Sequence, residues 1–317
     1  MSETPLASPS PAASATPARR PGSGRGALRA ALPATTLNRK VAAGSAVVGF
    51  FALVALAGPL LIHQNPLAYT LNLNAPPSSA HWLGTNQGGQ DVFAQLVDGA
   101  RSSVFWAFLT GALVCVISIT VGLVGGYMGG AVDDALSLVT NVFLVIPSLP
   151  LAIIAVQYFN RATLTIAIVV ALTNWPWGAR VLRAQTLSMR AREFVTAARA
   201  SGEYTWRIIF SEIFPNEISI VAANFVTTTI QVLLAVAGLE FLGFGDTNTI
   251  SWGIMLNQAY NSGALLTGSW WWFAPPGLCI ALLGAGLALL NFGIDEVADP
   301  RLRLAKRQAK RGKAVAV

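Results

Sequence analysis

Charge is scarce in this chain: Asp, Glu, Lys and Arg make up 11% of its 317 residues, against about 25% in an average soluble domain. With 54% hydrophobic residues, that shortage excludes an ordinary water-soluble globule and points to an integral membrane protein. Cysteine is nearly absent. Cys115 and Cys279 both lie in apolar runs, so there is no disulfide framework or zinc pattern, and both read as small core residues. The two histidines, His63 and His81, have no cysteine near them, which argues against a tetrahedral metal site. A phosphate-binding loop is also missing, because that motif needs Gly-Lys followed by Ser or Thr. The four lysines are followed by Val41, Arg307, Arg311 and Ala314, so this chain is not expected to hydrolyse ATP.

Other absences narrow the function further. No carboxylate, histidine or lysine is expected away from the ends of the apolar runs, whereas proton- and sodium-coupled carriers commonly place such groups at mid-membrane. The paired acids Asp133-Asp134 and Asp295-Glu296 flank apolar runs and lack neighbouring His or Cys. They read as helix-end charges rather than catalytic groups. The formal charge of +7 comes from basic residues that flank apolar runs, which makes nucleic acid an unexpected partner.

What is present is a series of apolar runs. Residues 1–38 are rich in Ser, Pro, Ala and Arg with no aromatic, a composition that predicts a disordered tail. The next run, 41–62, is longer than the 7 to 15 residues typical of a cleavable signal and reads as a spanning helix. Five more follow at 102–126, 136–157, 163–179, 217–239 and 272–293, giving an all-α membrane protein with six spans in a domain covering 39–300. Pro147 and Pro150 should kink the third. Gly122, Gly126 and Gly130, four residues apart, give the second helix a face for close helix packing, either within the subunit or at a moving interface between two subunits.

The basic residues set the orientation. Six precede the first span (Arg19, Arg20, Arg25, Arg29, Arg39, Lys40), six lie at 180–216 (Arg180, Arg183, Arg190, Arg192, Arg199, Arg207), and seven follow the last span in the basic tail 301–317. The alternate loops hold only Arg101 and Arg161. Both termini and the 180–216 segment are therefore expected in the cytoplasm. On the outer side, Val92, Phe93, Leu96, Val97 and Ala100 share a helical face that suggests a helix lying at the interface. The Trp270-Trp271-Trp272 triplet suits an aromatic belt.

The segment 180–216 is the most polar stretch between spans. It reads as two short amphipathic helices broken at Gly202, since glycine provides a helix C-terminus at low cost. Phe194, Ala197, Ala198 and Ser201 form one stripe, and Trp206, Ile209, Phe210 and Ile213 a second. Glu203 can pair with Arg207 one turn on, and Pro215 is expected to stop the second helix at its preceding residue. Such a hairpin calls for a partner surface.

Ala197, Ala198, Gly202 and the run Ile213-Phe214-Pro215 resemble the signature loop of permease subunits of ATP-binding-cassette (ABC) importers, Glu-Ala-Ala, three residues, Gly, nine residues, Ile-x-Leu-Pro. Thr196, Glu212 and Phe214 depart from that pattern. Two further stretches resemble the second permease of dipeptide, oligopeptide and nickel importers. One runs from His81-Trp82-Leu83-Gly84-Thr85 through Asp91-Val92 to Gly99-Ala100-Arg101. The other runs from Phe241-Leu242-Gly243 through Ser251-Trp252-Gly253 to Asp299-Pro300-Arg301-Leu302-Arg303. Asn86 and Gln90 stand where that family often has Asp and Arg.

The resemblance implies the type I importer permease fold and a non-catalytic subunit in the bacterial cell membrane. Its partners would be a homologous second permease, two ATPase subunits, an extracytoplasmic substrate-binding protein and membrane lipid. ATP and Mg would be used by the ATPases, with no cofactor on this chain. Glu193, Phe194, Ala197, Ala198, Gly202, Trp206, Phe210, Ile213 and Pro215 would form the ATPase-coupling loop. Peptides are the expected cargo, nickel and glutathione being carried by related permeases. The alternative is an ATP-independent channel or secondary carrier.

Overall fold

The structure is a computed structural model that describes residues 39–62, 64–159 and 162–298. Both expected tails, 1–38 and 301–317, lie outside the described residues. The described residues are helix and loop, with one isolated antiparallel bridge between Thr85 and Asp91. In order, the helices are α1 (Arg39–Leu61), α2 (Val92–Met128), α3 (Gly130–Val145), α4 (Ser148–Tyr158), α5 (Thr163–Arg190), α6 (Glu193–Ala200), α7 (Thr205–Arg207), α8 (Phe214–Leu239), α9 (Trp252–Asn261) and α10 (Trp270–Ala298). Two π-helical segments, Ile208–Ile213 and Glu240–Phe244, join α7, α8 and the turn beyond into one rod from Thr205 to Phe244.

Close approaches fix how the rods run. α2 and α5 lie side by side in the same direction: Ser118 Oγ donates to the Trp175 carbonyl at 2.8 Å. A Cβ on Gly122 would stand 2.7 Å from Leu182 Cβ, and one on Gly126 2.7 Å from Thr186 Cβ. α8 runs the opposite way, with Gly111 against Thr229 and Thr186 bonded to Glu217. α1 and α10 are antiparallel, Gly44 meeting the backbone of Gly286 and Leu290. Small residues at each crossing let the backbones come close, as helices in lipid require. One end of the bundle thus gathers Arg39, Met128 and 190–207, and the other Leu61, Val92 and 240–270.

Several expectations change on contact with the fold. The surface helix expected at 92–100 is instead the start of α2, which has 37 residues and spans about 55 Å. Val92, Ala94, Val97 and Ala100 are buried, and Asp91 caps the helix by accepting from the Ala94 N–H at 2.8 Å. The third span is not kinked but broken, since α3 and α4 meet at 89°. Ile146 is extended, as the residue before Pro147 must be. Pro150 falls in the first turn of α4, where a missing N–H costs nothing.

Pro215 does not end its helix. The π-turn before it, closed by the Phe214 N–H on the Ile209 carbonyl, widens the helix so that the proline enters near the start of α8. Of the tryptophan triplet only Trp270 is strongly exposed. Trp272 is buried, and Trp271 donates to the Thr85 carbonyl at 3.3 Å.

Four helices are long and apolar enough to cross a membrane: α1, α2, the 205–244 rod and α10, with the α3–α4 pair a fifth, broken span. The sixth expected span is α5. Its 28 residues reach about 42 Å, but Asn174, Arg180 and Arg183 make it less apolar. It packs among α2, α3, α4 and α8. Glu217 and Glu240, at the two ends of the expected 217–239 span, are both buried, at 0% and 3% exposure.

Candidate functional site

The 190–214 segment folds back on the end of the bundle as a two-sided hairpin. Arg192 is the residue before α6, and Thr196 Oγ1 back-bonds to the Glu193 carbonyl at 2.9 Å. At the far end of α6, Gly202 takes φ +78°. Its N–H reaches the Arg199 carbonyl at 3.1 Å, while the Glu203 N–H reaches the Ala198 carbonyl at 3.2 Å. This pair of bonds is a Schellman motif, which requires a left-handed residue at the position Gly202 holds. A Cβ at Gly202 would meet nothing within 4 Å. The constraint there is backbone conformation, and the crowding that a glycine-broken turn suggests is absent. The chain then re-enters helix at Thr205, and the Glu203–Arg207 pair closes at 3.1 Å as expected, largely exposed.

Burial divides the two expected stripes. Val195, Ile208, Ile209 and Ile213 are at 1% exposure or less and pack with Leu123, Tyr127 and Leu182 in one cluster. Removing each of these aliphatic side chains from water is worth about 1.5 to 3 kcal/mol, so the hairpin is docked firmly. Arg199 adds a cation–π contact over Tyr127, 5.5 Å from the ring centre.

The other side of the hairpin is unpartnered. Trp206 and Phe210 are 56% and 53% exposed and stack with centroids 6.1 Å apart at 18°. Tyr204 projects nearby and Phe194 is on the margin of exposure. Glu193, Ala197 and Pro215 are exposed, and Ala198 is half-buried. The candidate docking residues therefore split: Ile213 faces the bundle, and Phe194, Ala197, Trp206 and Phe210 face outward. Tyr204, Val195 and Ile208 escaped the sequence reading. A hydrophobic periodicity shows that a helix has an apolar face, but here two neighbouring faces are apolar and only one is covered.

At the root of the hairpin three helices lock together. Gly122 and Gly126 lie against α5, whereas Gly130 begins α3 at φ +56° with nothing within 4 Å of a Cβ. Thr186, on α5 against Gly126, donates to the fully buried Glu217 on α8 at 3.1 Å. Asp133, read from sequence as a helix-end charge, is buried and takes a bidentate grip from Arg183, at 2.5 and 2.7 Å. Fifty positions separate them, so no local pattern announced the pair.

The opposite end is also ordered by polar contacts. Asn86 and Gln90 do form a pair, their amides bonding at 2.8 Å, and Gln95 joins them at 2.9 Å. His81 Nδ1 lies 2.7 Å from Asp91 Oδ2, so the carboxylate that caps α2 also holds the 75–85 loop. Among the described residues no group of acidic, His or Cys side chains is arranged to hold a metal ion.

The family described as a binding-protein-dependent transport system inner membrane component matches residues 118–304, which take in the hairpin and the helices on either side of it. The chain belongs to that family. Relatives match it over most of its length. The dipeptide transport system permease protein DppC of Alkalihalophilus pseudofirmus is 32% identical over 271 residues, covering 84% of this chain and 87% of that protein. The oligopeptide transport system permease protein OppC of Mycobacterium tuberculosis is 33% identical over 277 residues, covering 85% and 93%. In fold, this family member is similar to a chain of the MetNI methionine ABC transporter solved in inward-facing conformations. The TM-score is 0.51 at 16% identity, covering 64% of this chain and 94% of that one. The protein is thus an all-α, multi-pass membrane permease with the importer fold expected from its motifs.

Proposed function

We propose that this chain is one permease subunit of an ATP-driven importer of short peptides in the bacterial cell membrane. It carries half of the translocation path beside a homologous second permease. Two ATPase subunits bind beneath it and a substrate-binding protein delivers cargo from outside. ATP and Mg are used by the ATPases, and this chain binds no cofactor of its own. The reading of the cargo rests on the dipeptide and oligopeptide permeases that the chain resembles.

The observation that carries the mechanism is the two-sided hairpin. Its buried side is fixed to α2, α5 and the 205–244 rod, and its exposed side offers stacked aromatics to a partner. A partner that grips Trp206 and Phe210 and moves therefore drags the bundle through rigid contacts. ATP-driven closure of the ATPases pulls the hairpin inward and reorients the helices between outward- and inward-open arrangements. The charge distribution supports a cytoplasmic hairpin and cytoplasmic termini.

The test is affinity purification of the tagged chain from native membranes in mild detergent, with identification of its partners and an ATPase assay of the complex. Recovery of a second permease and ATPase subunits, with hydrolysis stimulated by a binding protein, is the expected result. Recovery of the chain alone, conducting solute in liposomes without ATP, would replace this reading with a channel or carrier.

A further inference from the structure

A cavity of about 280 Å³ opens between α2, α3 and α5, lined by Val121, Leu136, Ser137, Thr140, Asn141, Ala179, Arg180 and Arg183. Its volume is just below the range of about 300 to 1,000 Å³ for ligand sites, which suits a compact group rather than a bilayer chain. The lining contains no carboxylate. The two arginines are not equivalent. Arg183 is held bidentate by Asp133 and is neutralised where it stands. Arg180 has only an amide partner, its Nη2 donating to Asn141 Oδ1 at 2.8 Å. That bond uses one of five guanidinium donors, and among the described residues no carboxylate forms an ion pair with Arg180.

Arg180 lies ten residues before the end of α5, about 15 Å from the hairpin end. Its side chain is exposed and forms part of the cavity lining. The nearest carboxylate, Asp133, is taken up by Arg183 and Ser137, so Arg180 keeps an unpaired charge among the described residues. The hydroxyls of Ser137 and Thr140 already donate, to Asp133 and to the Leu136 carbonyl. The donors for an incoming group are those of Arg180 and the Asn141 amide, with the guanidinium hydrogens of Arg183 that Asp133 leaves free beside them. A planar fork beside a carboxamide is complementary to a carboxylate.

We infer that this cavity binds the C-terminal carboxylate of the transported peptide, with Arg180 as its counter-ion and Asn141 as a second donor, on the hairpin side of the path. The inference rests on the peptide reading above. It assigns the inner part of the path a preference for cargo with a free carboxyl end, separate from any selection by an external binding protein.

The test uses the complete transporter in proteoliposomes with its binding protein, measuring uptake of alanyl-alanine against alanyl-alaninamide. Losing a charge-assisted hydrogen bond corresponds to about a tenfold or greater change. The wild-type complex should favour the free acid, and Arg180→Gln should shrink that preference by about tenfold, while Arg180→Lys, which keeps the charge but not the fork, should give a value between the two. The binding protein is common to all three, so its own selectivity cancels in the comparison. An acid-to-amide ratio that is the same in wild type and Arg180→Gln overturns the site and leaves the importer reading standing. A ratio unchanged by the substitution, with uptake now responding differently to the fraction of anionic phospholipid, overturns it in favour of a lipid headgroup. Failure of the wild-type complex to take up either compound sinks the peptide reading and this inference with it. A second measurement needs no variant: a dipeptide ending in a photoreactive phenylalanine should label Ser137, Thr140 or Asn141. Labelling confined to other helices contradicts the placement.

Discussion

Replacement of Gly202 isolates backbone conformation from contact, because a Cβ there meets no atom within 4 Å while φ stands at +78°. For an L-residue the left-handed region costs roughly 1 to 2 kcal/mol, less for Asn and Asp, whose side chains bond locally. A β-branched residue is worse still. Gly202→Ala should therefore weaken the Schellman closure by about 1 to 2 kcal/mol, raising the population of the opened turn by a factor of about 5 to 30. Gly202→Asn should have a smaller effect and Gly202→Val a larger one. The same order makes Gly202→Asp a mild probe despite its charge. The assay is peptide uptake per ATP hydrolysed by the reconstituted complex, since an opened turn loosens the lever without touching the ATPases. Coupling should fall in the order Gly, Asn, Ala, Val. Equal coupling for the alanine and asparagine variants would refute the conformational argument, and a defect that follows side-chain volume alone would restore a steric one.

Three further outcomes follow from contacts already described. Gly122→Ala drives a methyl to 2.7 Å from Leu182 Cβ and 2.8 Å from the Ala179 carbonyl, which should cost about 1 to 3 kcal/mol. It should lower the thermal midpoint of the purified complex, whereas Gly238→Ala, with open space around it, should not. Asp133→Asn removes the charge that holds Arg183 and should destabilise by about 1.5 to 3 kcal/mol. The double variant with Arg183→Gln should lose less than the sum of the single changes, which a double-mutant cycle of thermal stability reads directly. Trp206→Ala, on the exposed side of the hairpin, should leave the stability of the isolated subunit within about 0.5 kcal/mol of wild type while weakening retention of the ATPase subunits on purification. Unchanged retention would remove Trp206 from the docking face.

The sequence was a good guide to what local physics controls. Apolar length located the rods, and glycine at 202 located the turn of the hairpin. Proline was read only in part: a kink was expected at Pro147 and Pro150, but the span breaks at Pro147 and Pro150 sits in the first turn of α4. Pro147 breaks its helix, but Pro215 is accommodated by the π-turn of Ile208–Ile213, which no residue pattern foretold. Long-range pairing was hidden altogether. Asp133 with Arg183 and Thr186 with Glu217 join residues 50 and 31 positions apart, and the charge of Asp133 alone suggested only a helix end. The two apolar stripes of the hairpin could be counted but not assigned, because Ile209 and Phe210 are adjacent in sequence and equally apolar. Only the packing of Ile209 on the bundle turns Phe210 outward.

The most direct test of the account is ATP-dependent uptake in liposomes of defined composition. With this chain, a second permease, the ATPase subunits, an external binding protein and enclosed ATP, alanyl-alanine should accumulate. Uptake should stop when ATP or the ATPase subunits are left out. Accumulation or flux supported by this chain alone would contradict the account, because the hairpin would then have no ATPase to receive.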